Sequence, residues 1–149
     1  MAIRGDGVWL YQGSPIGRKP LVRLFSTVLR KDADGRHYLV TPVEKVDVAV
    51  DDAPFLAVEM QVEGHGVDQV LTFRTNVDDV VRCGADNPLR FVVEAAAGGL
   101  KPYLLVRGRL EALVTRAVYY DLVELAVYEG DRLFVWSGGA RFVLEGTPA

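Results

Sequence analysis

A single cysteine, Cys83, and two histidines, His37 and His65, are all the thiols and imidazoles in these 149 residues. One thiol cannot make an internal disulfide, so the chain is no cross-linked secreted scaffold and reads as cytoplasmic. The histidines lack both an i, i+4 partner and cysteine neighbours, which removes the usual zinc arrangements. No apolar run approaches the roughly 18 residues of a membrane span. The opening MAIRGDGVW also lacks the apolar core of a signal peptide, so no membrane association is expected. Positive charge is not in excess either: 17 Lys and Arg stand against 20 Asp and Glu, a net −3, which argues against general nucleic-acid binding.

Half of the residues are hydrophobic, enough for one domain or two small lobes to fold without staples. Val8 to Gln12 reads as a strand. Leu21, Leu24, Phe25, Val28 and Leu29 then follow the period of a helix with one inward face, with Pro20 suited to its first turn. Lys31 to Gly35 is a charged turn. Strands are expected over His37 to Thr41, Lys45 to Val50 and Phe55 to Glu63, with Gly64-His65-Gly66 reversing the chain into Val67 to Thr75. Asn76 to Pro88 reads as a loop in which Val80-Val81 pair briefly. Leu89 to Glu94 and Tyr103 to Arg107 are two more strands, with Gly98-Gly99 as the hinge between them. A second helix is expected from an N-cap at Thr115 to about Tyr128, with Val118, Leu122, Leu125 and Ala126 inward. Leu133 to Trp136 and Arg141 to Leu144 form a closing hairpin.

The two helical patterns echo each other. Leu21, Phe25, Val28 and Leu29 map onto Val118, Leu122, Leu125 and Ala126 at a constant offset of 97, and Arg36 to Thr41 onto Arg132 to Ser137 at 96. Periodicity alone makes some of this agreement, and an internal duplication makes all of it. The duplication reading predicts an N-terminal lobe over 1–52, a C-terminal lobe over 53–149, and a cleft between them of the kind in which ligand sites concentrate. The fold class is then α+β: duplicated strand-helix-hairpin lobes on mainly antiparallel sheet.

The stretch GSPIGRKPL from Gly13 is the nearest approach to a phosphate loop, but it has only three residues between its glycines, and Arg18-Lys19-Pro20 replace the required Lys and hydroxyl. What remains is Ser14, Arg18 and Lys19 at the start of a helix, where they form either a solvated corner or a contact for an anion. Phe73-Arg74-Thr75-Asn76 ends a strand with a guanidinium, a hydroxyl and an amide. These either bind a ligand or fasten the loop that follows. Thr41 and Trp136-Ser137 occupy corresponding ends in the two repeats, with Trp136 either core or a stacking platform. Arg107 closes its own strand as a further cation. Ser14 and Ser137 lack a nucleophile elbow and Cys83 lacks a base partner. Asp32-Ala33-Asp34-Gly35 lacks the acid of a calcium loop at its twelfth position, which is Val43.

These segments, namely Trp9 to Arg18, Leu21 to Phe25, Tyr38 to Lys45, Phe73 to Asn76 and Val135 to Gly139, resemble the bacterial domain-of-unknown-function family 1285. The resemblance spans nearly the whole chain, although members usually carry more residues before the first strand, and a His-Pro pair of the family reads Asn87-Pro88 here. It implies a duplicated core, a C-terminal lobe superficially like pleckstrin-homology folds, and a pocket between lobes for a small, nucleotide-like ligand with a role in signalling. Carried onto this chain, the pocket group is Ser14, Arg18, Thr41, Arg74, Thr75 and Asn76.

The expected function is a binding module for a small anionic or nucleotide-like ligand, contacted by Ser14, Arg18, Lys19, Thr41, Arg74, Thr75, Asn76, Arg107, Trp136 and Ser137, with no cofactor. The alternatives are a protein-interaction domain that uses exposed sheet edges and an enzyme acting on phosphate esters with Glu44 or Asp86 as base.

Overall fold

The computed structural model describes residues 1–94, 99–145 and 147–148. The first fifty residues make the strands β1 (Ala2–Ile3), β2 (Trp9–Tyr11) and β3 (Ser14–Pro15), the helix α1 (Lys19–Thr27), and the strands β4 (Leu29–Lys31), β5 (His37–Val40) and β6 (Lys45–Val50). Their sheet runs in the order β3-β2-β1-β6-β5-β4, antiparallel except where β1 lies parallel to β6. Helix α1 covers this sheet through Phe25, whose ring stacks on the buried Trp9 at 6.5 Å and 18°.

The rest of the chain supplies the strands β7 (Phe55–Glu63), β8 (Val70–Thr75), β9 (Val80–Arg82), β10 (Leu89–Val93), β11 (Leu100–Arg107) and β12 (Leu110–Val114) and the helix α2 (Arg116–Glu124). The strands β13 (Val127–Glu129), β14 (Arg132–Ser137), β15 (Ala140–Val143) and β16 (Thr147–Pro148) follow. A seven-stranded sheet has the order β16-β10-β11-β12-β7-β8-β9, and β13-β14-β15 form a small third sheet. Parallel pairing occurs at its centre, β7 with β12, and at its margin, β10 with β16. The protein is thus α+β and two-lobed, mostly strand with two helices.

Strand β7 shows how the core side is kept. Phe55 and Ala57 are fully buried, whereas the apolar residues farther along, Met60 and Val62, have the opposite parity. The register against β8 shifts between Ala57 and Glu59. One extra residue in a bulge turns the later side chains over, so Met60 packs on the same core.

Several expectations need correction. Helix α1 ends at Thr27, and Leu29 belongs to β4, so the apolar period ran through two elements. The Ser26 and Thr27 hydroxyls each donate to the carbonyl three residues earlier, Arg23 and Leu24, at 2.6 Å. That side-chain competition and the β-branched Thr27-Val28 pair end the helix. Its inward face is Val22, Phe25 and Ser26, not Leu21 and Leu24, which are 37% and 61% exposed. Helix α2 stops at Glu124 rather than near Tyr128. Its last turn tightens through Leu125 N–H to Leu122 and Ala126 N–H to Val123, and Val127 opens β13. The strands β1, β3, β4, β12, β13 and β16 lay outside the expected set. Of the expected hinge at Gly98-Gly99, Gly98 lies outside the described residues, and the Gly99 carbonyl accepts from Glu94 N–H at 2.7 Å. The two helices are both nine residues long and begin 97 residues apart, each preceded by a strand and followed by a three-stranded antiparallel meander.

Candidate functional site

The lobes meet at the loop between β8 and β9. Thr75 is fully buried, and its hydroxyl oxygen accepts from the Val77 and Asp79 N–H groups at 3.3 and 3.1 Å. The Asn76 side-chain oxygen accepts from Leu56 N–H at 3.0 Å. These bonds force a tight turn that places Asp78 at φ 66, a left-handed conformation that Asp tolerates better than most residues. The turn aims two carboxylates at the N-terminal lobe. Asp78 lies 3.1 Å from Arg74, 3.6 Å from Lys19 and 3.7 Å from Arg23, the last two on α1. Burial pushes the Asp78 carboxyl up, but Lys19, Arg23 and Arg74 together outweigh it and hold the group below its ordinary value. Asp79 pairs with Arg107 at 3.0 Å, and Arg107 also donates to the Ser26 carbonyl at the end of α1.

Lys19, Arg74, Thr75, Asn76 and Arg107 therefore gather around one loop, as a group that neutralises itself. Arg74 is bound to Glu59 as well as Asp78. Thr75 is buried away from any ligand, and the side-chain oxygen of Asn76 is held by the Leu56 N–H. Ser137 is likewise fully buried, at the other end of β8: it accepts from Leu71 N–H at 2.8 Å and donates to the Cys83 carbonyl at 2.7 Å, fastening the third sheet to the seven-stranded one. Trp136 is half-buried, its carbonyl accepts from the Gln69 amide, and its ring has Arg141 at 5.8 Å. The Thr41 hydroxyl closes the turn to β6 by accepting from Glu44 N–H at 3.2 Å. Ser14 and Arg18 are exposed, Arg18 as the residue before α1. Glu44 and Asp86 are exposed, and neither lines the hollows at the lobe junction.

Two hollows flank this hub. One, about 350 Å³, lies between α1 and the β8–β9 loop and is lined by Arg23 together with Asp78 and Asp79. The other, about 560 Å³, runs between β4 of the first lobe and the β11–β12 turn of the second. Buried Leu29 and Leu110 contribute to its lining, along with Arg30, Lys31, Arg107 and Arg109. Arg30 is held by Asp32 at 2.7 Å and Arg107 by Asp79. Lys31 and Arg109 enter no ion pair among the described residues. Sequence reading missed Arg30, Lys31 and Arg109 because nothing local in residues 29–31 and 107–110 announces that they face each other. Among the described residues no three His, Cys, Asp or Glu side chains gather as a metal set would, and no helix is long and apolar enough to cross a membrane.

Family models match nearly the whole chain: the "Domain of unknown function (DUF1285), N-terminal domain" over residues 1–53 and the "Protein of unknown function (DUF1285), C-terminal domain" over 54–144. A crystal structure of a DUF1285 family protein from Silicibacter pomeroyi DSS-3 superimposes with a TM-score of 0.93 at 48% identity, covering 98% of this chain and 79% of that one. A second, from Shewanella baltica OS155, gives 0.63 at 26% identity, with 83% and 89% covered. No curated protein matches.

Proposed function

The chain belongs to the DUF1285 family, and we propose that it is a cytoplasmic, non-catalytic binding module that receives an anionic ligand in the groove between β4 and the β11–β12 turn. One observation carries this reading: four cations line a single 560 Å³ groove at the lobe junction, and two of them, Lys31 and Arg109, have no carboxylate partner among the described residues. The volume falls within the roughly 300–1,000 Å³ of small-ligand sites. Guanidinium and ammonium groups against an apolar lining of Leu29 and Leu110 suit a ligand with a charged part and a flatter apolar part, the chemistry of a nucleotide-like molecule. The groove is built from both lobes, so a bound anion adds contacts across the junction and couples them, which accords with the signalling role implied by the family resemblance. The pleckstrin-homology-like reading of the C-terminal lobe is not needed for this groove.

The test is a thermal-shift titration with inorganic triphosphate at low and moderate salt. Binding to the native state raises the Tm in a concentration-dependent way, and the rise should shrink with salt. The double variant Lys31→Ala, Arg109→Ala should lose most of the rise while keeping its ligand-free Tm. An equal rise in that variant, or none in the parent protein, removes the reading.

A further inference from the structure

The groove has a second chemical character besides charge. Among the described residues strand β4 pairs only with β5 and is the last strand of its sheet. Val40 N–H donates to the Val28 carbonyl and Asp32 N–H to that of Arg36, both at 3.0 Å. In an antiparallel ladder such hydrogen-bonded pairs alternate with pairs whose N–H and C=O point away. Arg30, Asp32 and the Val28 C=O therefore face β5, while the Val28 N–H bonds to the Phe25 carbonyl, and Leu29 and Lys31 turn their backbone groups away from β5. At Leu29 the N–H is taken by the Ser26 carbonyl at the end of α1, which leaves the Leu29 C=O and both backbone groups of Lys31 on the edge of the sheet, and both residues line the groove.

From this juxtaposition we infer that the groove takes an extended acidic peptide segment, which adds to β4 as a further strand through the outward C=O of Leu29 and the N–H and C=O of Lys31. The inference rests on the anion-binding reading above and puts an acidic peptide in place of a nucleotide-like molecule as the anion. Backbone pairing supplies affinity, and side chains at alternate positions supply selectivity. Here the selecting groups are Lys31 and Arg109. Charge also decides against a second copy of this chain as occupant: two β4 edges would bring Arg30 and Lys31 against their own kind, the usual device by which edge strands resist self-pairing. An Asp- or Glu-bearing strand meets the same charges as attraction.

The experiment is fluorescence anisotropy with a labelled eight-residue peptide that alternates Asp or Glu with Val or Thr. Two derivatives are N-methylated on the odd or on the even residues, with inorganic triphosphate as a separate probe. Only alternate residues of an added strand donate to β4, so one methylated peptide should lose at least ten-fold in affinity while the other stays within about two-fold. The double charge reversal Lys31→Glu, Arg109→Glu should abolish binding of the parent peptide. Equal binding of both methylated peptides, or retention by the reversed variant, overturns the strand addition. If triphosphate binds and the peptide does not, strand addition falls and the anion-binding reading stands. If neither binds, both fall.

Discussion

The guanidinium of Arg107 sits 3.0 Å from the carboxylate of Asp79 while donating to the carbonyl of Ser26, so one side chain of the second lobe both braces the β8–β9 loop and caps the end of α1. Both members of the ion pair are more than a third exposed. The charge pair itself is therefore worth little, and the bond to a helix-terminal carbonyl carries more. Arg107→Ala should cost about 1 kcal/mol and Asp79→Asn less, measured by urea unfolding. The midpoint should shift with an unchanged slope.

Ser137 ties the third sheet to β8 and to the Cys83 carbonyl, and no water reaches it. Ser137→Ala leaves a buried N–H and a buried carbonyl short of a partner, a loss of about 2–4 kcal/mol. The neighbouring thiol gives a local readout. Burial pushes Cys83 up to about 12, against smaller opposing effects from Ser137 and the Leu89 backbone, so native protein at pH 8 should resist thiol reagents. Labelling of Cys83 should be at least ten-fold faster in the Ser137→Ala variant.

Gly138 follows at φ +58, and a methyl group there would stand 2.9 Å from the Cys83 carbonyl oxygen. Gly139 is also left-handed, at φ +80, but has open space around it. Gly139→Ala should cost only the backbone penalty of about 1 kcal/mol, whereas Gly138→Ala adds a clash with backbone and should cost about 2–3 kcal/mol. Parallel thermal melts of the two variants check the difference.

His37 is buried to 9% exposure and its Nε2 has no hydrogen-bond partner. Burial, with a smaller contribution from Lys31, lowers its pKa from the ordinary 6.5. The unfolded chain then binds the proton more readily, so this contribution to stability is complete above about pH 6.5 and is lost as pH falls through the lower folded value. Tm should fall from pH 7 to pH 5, and His37→Phe should flatten that part of the profile.

How much of this could be read from the residues depends on how local the determining physics is. Strands β6 and β7 have the expected bounds because alternation, Pro42 before the one and Gly64 after the other are all local signals. Helix α1 was legible in place but not in rotation, since Leu24 and Phe25 satisfy the helical period equally and only the stack of Phe25 on Trp9 selects between them. Strand β4 was hidden because Val28 and Leu29 extend that period past the helix end. Strand β12 alternates clearly as Leu110, Ala112 and Val114, all buried, so its signal was present and overlooked. At the junction, Arg74 and Arg107 stand out as cations in any reading of the chain, but their capture by Asp78, Glu59 and Asp79 depends on how a turn seventy residues from the start folds back. The groove cations are distributed over residues 29–31 and 107–110, and only the tertiary fold sets them opposite one another.

The parallel seam at the centre of the larger sheet joins Phe55–Ala57 to Ala112–Val114, whereas the smaller sheet is complete once Val50 has been made. During vectorial synthesis on a ribosome, the first lobe can close while β7 still waits for a neighbour more than fifty residues downstream. Nascent chains arrested with Val114 inside the exit tunnel would thus carry a finished first lobe and an unzipped second one, and the late pairing of distant segments makes the second lobe the slower to form.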